Sequence, residues 1–384
     1  MSENLKILVV DDTIFYRKLL SNIIEEIPDI DLMGVASNGK IALQKIELSP
    51  PDLVLMDVAM PVMDGLKALE KIKANHPGVN VIMVSGVDRQ AAGMTVKALE
   101  TGALDFIPKP RAVSPDAAVE ELKSALIPLI KLAKTMKYSR ETQNISKGKT
   151  SGVLVPEESD VRTKPSVIQP LKPETIYKPP IKAGKKRDIP KIDLVAIGVS
   201  TGGPNALKKI IPKISKDFPV PILVVQHMPP IFTATLAESL NNISSIRVVE
   251  GKAEQPVENG VMYIAPGGRH MVVRKAAGSG IKLGLVDTPP VHNCRPAVDV
   301  LFRSIGMILG ANVLTVILTG MGNDGLSGVA AIRRKGGYSL VQDEKTSVVW
   351  GMPGAVMKAG EADEIYAEDQ IAGRIMKIVK KGRL

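Results

Sequence analysis

The 384-residue sequence holds one cysteine, Cys294, and only 3% aromatic side chains. A single thiol excludes an intrachain disulfide and a Cys-rich metal cluster. The four histidines (His76, His227, His270 and His292) are too scattered to mark a zinc site by spacing. No apolar run approaches the roughly 18 residues of a membrane span. The start, MSENLKILVVDD, has no basic segment followed by an apolar one. No secretory signal and no membrane insertion are therefore expected, and the expected location is cytoplasmic. Few aromatics also mean few platforms for stacking bases, which matters because the net charge is +10. That charge is uneven: −5 over residues 1–130, +8 over 131–190 and +7 over 191–384. The basic excess is densest in a stretch poor in stacking residues, with only Tyr138 and Tyr177, so no nucleic-acid partner is expected.

What is present is a repeated alternation of short apolar runs with amphipathic stretches. Lys6–Val10, Leu32–Ala36, Leu53–Met56, Val81–Val84 and Asp105–Ile107 read as five strands with helices between them. That rhythm predicts a doubly wound parallel sheet. Between about 139 and 190 it stops, and seven prolines with many Lys and Ser suggest a linker. From Asp193 it resumes, with strands expected at Asp193–Val199, Ile222–Val225, Val261–Ile264, Val313–Leu318 and Tyr338–Val341. A second α/β domain follows, and it offers no helix-turn-helix for a DNA-binding output.

In the first domain, polar residues fall at the carboxyl ends of the strands, where parallel sheets collect function. Asp11 and Asp12 end the first strand, Asp57 the third and Ser85 the fourth, and Lys109 follows the fifth. One such Asp could simply cap a helix. Three converging carboxylates repel one another and call for a cation. Mg²⁺ held by carboxylates and recruiting a phosphoryl oxygen meets that need. Asp57 would then be the phosphoryl acceptor, with Ser85 and Lys109 binding the phosphoryl oxygens.

The second domain carries two competing glycine signatures. Gly198-Val199-Ser200-Thr201-Gly202 is a G-x-S-x-G pattern after a strand, which suits an exposed nucleophilic serine. Ser200 could equally cap the following helix. Gly320-Met321-Gly322-Asn323-Asp324-Gly325 matches G-x-G-x-x-G after another strand, with Asp343 placed like a ribose-binding acid. A dinucleotide-dependent oxidoreductase is thus the alternative, although Asp324 would set a carboxylate against the pyrophosphate. As the orienting acid of a Ser200–His227–Asp324 triad, Asp324 has a use. His227 ends a strand and would share the rim with Ser200. The order Ser, His, Asp departs from the α/β-hydrolase order. Spacing leaves His270 and His292 open as rival bases.

At these residues the chain resembles two families. LVVDD (8–12), LVLMDVAMPVMDG (53–65), VSG (84–86) and FIPKP (106–110) resemble the receiver domains of two-component response regulators. That resemblance implies a flavodoxin-like (βα)5 domain with Asp57 phosphorylated by a chemotaxis histidine kinase. It further implies Mg²⁺ on Asp11, Asp12 and Asp57, and a switch formed by Ser85, Lys109 and Phe106. AIGVSTGGP (196–204), VVQHMPPIFT (224–233), MYIAPGGRHM (262–271), RPAVDVLFRS (295–304), VILTGMGNDG (316–325) and VVWGMP (348–353) resemble the chemotaxis protein-glutamate methylesterases. This implies a doubly wound parallel α/β esterase with Ser200 as nucleophile, His227 as base and Asp324 as orienting carboxylate. Thr201 is expected to help position His227, and the backbone N–H of Met321 to hold the oxyanion. The implied substrates are glutamyl methyl esters and glutamines of methyl-accepting chemoreceptors, with no cofactor for the esterase step. The expected domains are a receiver over 1–125, a basic Pro-rich linker over 126–190 and an esterase over 191–384.

Overall fold

A computed structural model describes residues 4–110, 114–147, 187–276, 278 and 280–381. Most of the basic Pro-rich stretch, residues 148–186, lies outside the described residues. The N-terminal domain runs β1 (Leu5–Val10), α1 (Ile14–Glu25), β2 (Ile30–Ala36), α2 (Gly39–Leu48) and β3 (Leu53–Asp57). It continues with α3 (Gly65–Asn75), β4 (Asn80–Ser85), α4 (Arg89–Thr101), β5 (Asp105–Pro108) and α5 (Pro115–Lys147). The strands form a five-stranded sheet in the order β2-β1-β3-β4-β5, with every pairing parallel. Strands β3 and β4 are buried along their whole length, because helices cover both faces. Four helix starts are set by side chains: Thr13, Asn38, Asp64 and Asp88 each accept a first-turn N–H.

Helix α5 corrects the expected boundary at residue 125. Leu122, Leu126, Leu129, Ile130 and Ala133 recur at helical spacing and are buried against β1, β3 and β4. Further along, Lys137 donates to Asp52 at 3.0 Å and Arg140 to Asn80 at 3.3 Å. Pro128 reads as a helix breaker in sequence, yet the apolar stripe on either side of it keeps the helix seated.

The C-terminal domain runs β6 (Leu194–Val199), α6 (Gly203–Ile210), β7 (Ile222–Gln226), α7 (Phe232–Ile243), β8 (Arg247–Glu250) and β9 (Val261–Ile264). Then come β10 (His270–Lys275), β11 (Ile281–Val286), α8 (Val298–Leu309), β12 (Val313–Ile317) and α9 (Leu326–Arg334). It ends with β13 (Tyr338–Gln342), α10 (Gly351–Lys358), β14 (Glu364–Tyr366) and α11 (Glu368–Lys381). Seven strands form a parallel sheet in the order β14-β13-β12-β6-β7-β9-β8, while β10 and β11 make a separate antiparallel hairpin. One face of the sheet packs on α6, α7 and α11, and the other on α8, α9 and α10.

Both sheets reverse their winding at one point, and a crevice opens there at the strand ends. In the first it lies between β1 and β3, beside Asp11, Asp12 and Asp57. In the second it lies between β6 and β12, beside Ser200 and the loop 318–325. No helix among the described residues is long and apolar enough to cross a membrane.

Trimming a buried side chain on the late part of α5 tests whether that part belongs to the domain core. Leu126→Ala is expected to cost about 2–5 kcal/mol in urea unfolding, whereas Glu121→Ala, exposed on the same helix, should shift stability by under ~0.5 kcal/mol.

Candidate functional site

Strand β6 ends at Val199 and the chain turns at once into α6. The N-cap position of α6 is Gly202, at φ +78, and no side chain hydrogen-bonds there. Ser200 is therefore not a helix cap. Its amide donates to Thr319 O at 3.0 Å, and its carbonyl accepts from Gly203 N at 2.7 Å. The turn is tight enough that a Cβ on Gly203 would lie 2.0 Å from Gln226 Oε1. Gln226 Nε2 in turn donates to the carbonyls of Ser200 and His227, at 3.0 and 3.3 Å. Gly320 abuts the other side of the serine; a Cβ there would sit 2.9 Å from Ser200 Cβ.

His227 follows β7, and its Nε2 lies 2.8 Å from Asp324 Oδ2. Asp324 is buried. It also accepts from three backbone amides: Val298 and Asp299 at 2.7 and 2.9 Å, and its own neighbour Gly325 at 2.9 Å. The first two open helix α8, whose positive N-terminal end favours a carboxylate. Burial alone would raise the Asp324 carboxyl; the His227 bond and these amides outweigh it and hold the carboxyl below its usual range. Burial likewise opposes charging of His227, but Asp324 and a hydrogen bond with the Cys294 thiol lift its pKa to about 9. Ser200 Oγ and His227 are not hydrogen-bonded to each other; such contacts often tighten only with substrate bound.

The other histidines are committed elsewhere. His270 is fully buried, its Nε2 on Pro289 O at 3.1 Å and its Nδ1 accepting from Ala297 N at 3.1 Å. His292 sits at φ +52 and pairs with Asp299 at 3.2 Å. The dinucleotide alternative also fails here. Asp343 spends its carboxylate on Thr346 in a local turn. The first glycine of the loop 320–325 is engaged as well: Gly320 N donates to Val349 O, and Gly320 O accepts from Met352 N.

In the N-terminal domain, Lys109 Nζ lies 2.8 Å from Asp11 Oδ2 and 2.9 Å from Asp57 Oδ2. Burial raises the Asp57 carboxyl above its usual range, partly offset by Lys109. Carboxylate oxygens of Asp11, Asp12 and Asp57 lie within 4.8 Å of one another. Three hard oxygen donors with Asp12 facing solvent fit an octahedral Mg²⁺ that keeps several waters. The Ser85 hydroxyl is hydrogen-bonded to Thr95 Oγ1 of α4 at 2.6 Å.

The two sites belong to one assembly, because the N-terminal domain is seated on the serine turn. Phe106 packs on Phe232 of α7 with ring centroids 4.5 Å apart. Thr201 Oγ1 donates to Asp105 Oδ2 at 2.5 Å. Met321 and Val348 pack against the apolar cluster of α5, β1 and β5. Glu100 of α4 accepts from Ser239 and pairs with Lys208, and Arg89 reaches Glu238. Spacing gave no sign of Asp105, Thr95, Gln226 or Cys294. Each acts on a partner brought close only by the tertiary fold.

Comparison with known proteins agrees with this organisation. A family described as CheB methylesterase matches residues 195–375, and the response regulator receiver domain matches residues 7–121. The chain is 42% identical over 382 residues to a protein-glutamate methylesterase/protein-glutamine glutaminase of Desulfotalea psychrophila, covering 98% of this chain and 99% of that one. To the protein of the same name from Bacillus subtilis it is 40% identical over 383 residues, covering 99% and 100%. Among solved structures it is similar to the Thermotoga maritima CheB methylesterase catalytic domain, at 39% identity and a TM-score of 0.48, covering 49% of this chain and 100% of that one.

The His227–Asp324 pair leaves a signature in stability. The His227 pKa is raised from 6.5, so its contribution is complete below pH 6.5 and is lost as pH rises through about 9. The Asp324 carboxyl is lowered from 3.8, so its contribution is complete above pH 3.8 and is lost as pH falls further. Unfolding free energy measured against pH should therefore fall between pH 6.5 and 9. In His227→Gln that alkaline limb should flatten.

Proposed function

The chain belongs to the CheB methylesterase family, and from that premise we propose that Ser200, His227 and Asp324 hydrolyse glutamyl γ-methyl esters on chemoreceptors for chemotactic adaptation. The observation that carries the reading is the 2.8 Å His227–Asp324 pair, with its carboxylate on the α8 amides, at the crevice where Ser200 emerges. In its neutral form, whose share grows as pH rises toward about 9, His227 takes the proton of Ser200 as Oγ attacks the γ-carbonyl. The oxyanion that forms is held by the backbone N–H of Met321, in the loop abutting the serine. The imidazolium then returns the proton to the departing methoxide, so methanol leaves. A water, deprotonated by His227, cleaves the acyl-enzyme to glutamate and frees Ser200. With a glutamine side chain the same steps release ammonia. Thr201 lines the turn beside the nucleophile and helps position the base.

Regulation follows from the seating of the N-terminal domain. A chemotaxis histidine kinase supplies the phosphoryl group, and Asp57 accepts it. Asp11, Asp12 and Asp57 would hold the Mg²⁺, which neutralises charge on the incoming phosphoryl oxygens. Lys109 and Ser85 then bind those oxygens. For Ser85 this means turning its proton from Gly86 O to the phosphoryl group and moving the oxygen that accepts from Thr95 on α4, the helix that carries Glu100 and Arg89 to the other domain. Phe106 leads from the same rim to Phe232. Phosphorylation thereby weakens the seating and opens the serine turn, a shift between closed and open populations.

Methanol release from methyl-labelled receptor membranes checks the chemistry. Ser200→Ala and His227→Ala in the full chain are each expected to lose on the order of 10⁴-fold or more. His292→Ala should lose far less; if it were the most damaging change, the triad assignment would fall. Asp57→Asn should abolish stimulation by acetyl phosphate with Mg²⁺ while preserving the basal rate.

A further inference from the structure

We infer that Asp105 occupies a carboxylate-binding subsite of the esterase, so that the N-terminal domain inhibits as a built-in analogue of the reaction product. The inference rests on the esterase reading above and says what fills the site in the closed state. Asp105 opens β5, 96 residues before Thr201. One carboxylate oxygen is spent on its own neighbour, accepting from Phe106 N at 2.8 Å. The other projects across the domain boundary and accepts from the Thr201 hydroxyl at 2.5 Å.

The receiving side is built by the catalytic domain. Thr201 is buried and its carbonyl is fixed by Thr319 Oγ1 at 3.0 Å, so the strands beneath it hold its backbone. Burial raises the Asp105 carboxyl above its usual range, offset in part by the Thr201 hydroxyl, the Phe106 amide and the charge of His227. It thus lies beside the residue following the nucleophile. Hydrolysis of a glutamyl ester leaves a γ-carboxylate at that place, and aspartate is glutamate shortened by one methylene. Steric cover alone would not call for a carboxylate. Placing one in a domain boundary is costly unless the opposite face supplies donors or positive charge. An apolar residue would cover the turn without that cost. The surrounding ion pairs, such as Arg89–Glu238, are exposed, and pairs of that kind contribute little.

The test uses the full, unphosphorylated chain, with N-acetylglutamate α-amide as the carboxylate probe and its γ-methyl ester as substrate. Asp105→Asn keeps the shape and removes the charge; Asp105→Ala removes both. Both variants should hydrolyse the ester several-fold faster than the parent. Both should also bind the carboxylate about tenfold more tightly, by calorimetry and as a competitive inhibitor, which is ~1.4 kcal/mol. An Asn variant as inhibited as the parent, or an activated variant that binds no carboxylate, would overturn the inference. Calorimetry reads the subsite whether or not the ester turns over. Loss of turnover in every variant with carboxylate binding intact would therefore count against the esterase reading and in favour of the subsite.

Discussion

Four hydrogen bonds converge on the carboxylate of Asp324, from the amides of Val298, Asp299 and Gly325 and from the ring of His227. A buried, ionised carboxylate is tolerated only when its lone pairs are met in this way. Meeting them joins three separate pieces of chain: the loop between β12 and α9, the start of α8 and the end of β7. The winding of the sheet brings those pieces to one rim, and Asp324 locks them at hydrogen-bond spacing. Removing either side would leave the other buried without a partner, a larger penalty than the bond itself supplies. The site's geometry and the domain's integrity are therefore the same constraint.

The two domains use helix ends differently. In the N-terminal domain, side chains such as Asn38 and Asp88 cap α2 and α4. In the C-terminal domain α6, α8 and α9 begin without a side-chain cap. The first amides of α8 are turned instead toward Asp324. Donors that a capping residue would have satisfied are thus available to the active site.

Much of this was legible from sequence because both sheets are parallel. Strand ends such as Asp57, Ser85 and His227 mark a rim, so residues far apart in the chain could be placed together. The helical stripe of α5 was cut short at residue 125, since the basic, Pro-rich composition farther along resembles a linker. Strands β10 and β11 went unseen because His270–Lys275 and Ile281–Val286 form a small two-stranded hairpin outside the main sheet. The three histidines of the C-terminal domain could not be told apart by spacing. What separates them is a partner: a carboxylate on helix amides for His227, two backbone groups for His270 and, for the exposed ring of His292, the buried carboxylate of Asp299. Cys294 against His227, and Asp105 against Thr201, depend on contacts across 67 and 96 residues, which no local pattern records.

The boundary between the domains holds one aromatic pair, hydrogen bonds to the carboxylates of Asp105 and Glu100, the apolar contacts of Met321 and Val348, and two ion pairs, of which Arg89–Glu238 is exposed. Because both partners belong to one polypeptide, docking is a unimolecular event governed by an effective concentration. An association too weak to survive between free proteins is then enough to keep the serine turn covered. The same weakness sets how sensitive the device is. When closure is balanced within a few kcal/mol, a change of ~1.4 kcal/mol alters the open-to-closed ratio tenfold, which one bond such as Ser85–Thr95 can supply. Under the proposed function, economy at the interface is what would let a single phosphoryl group govern an enzyme of this size.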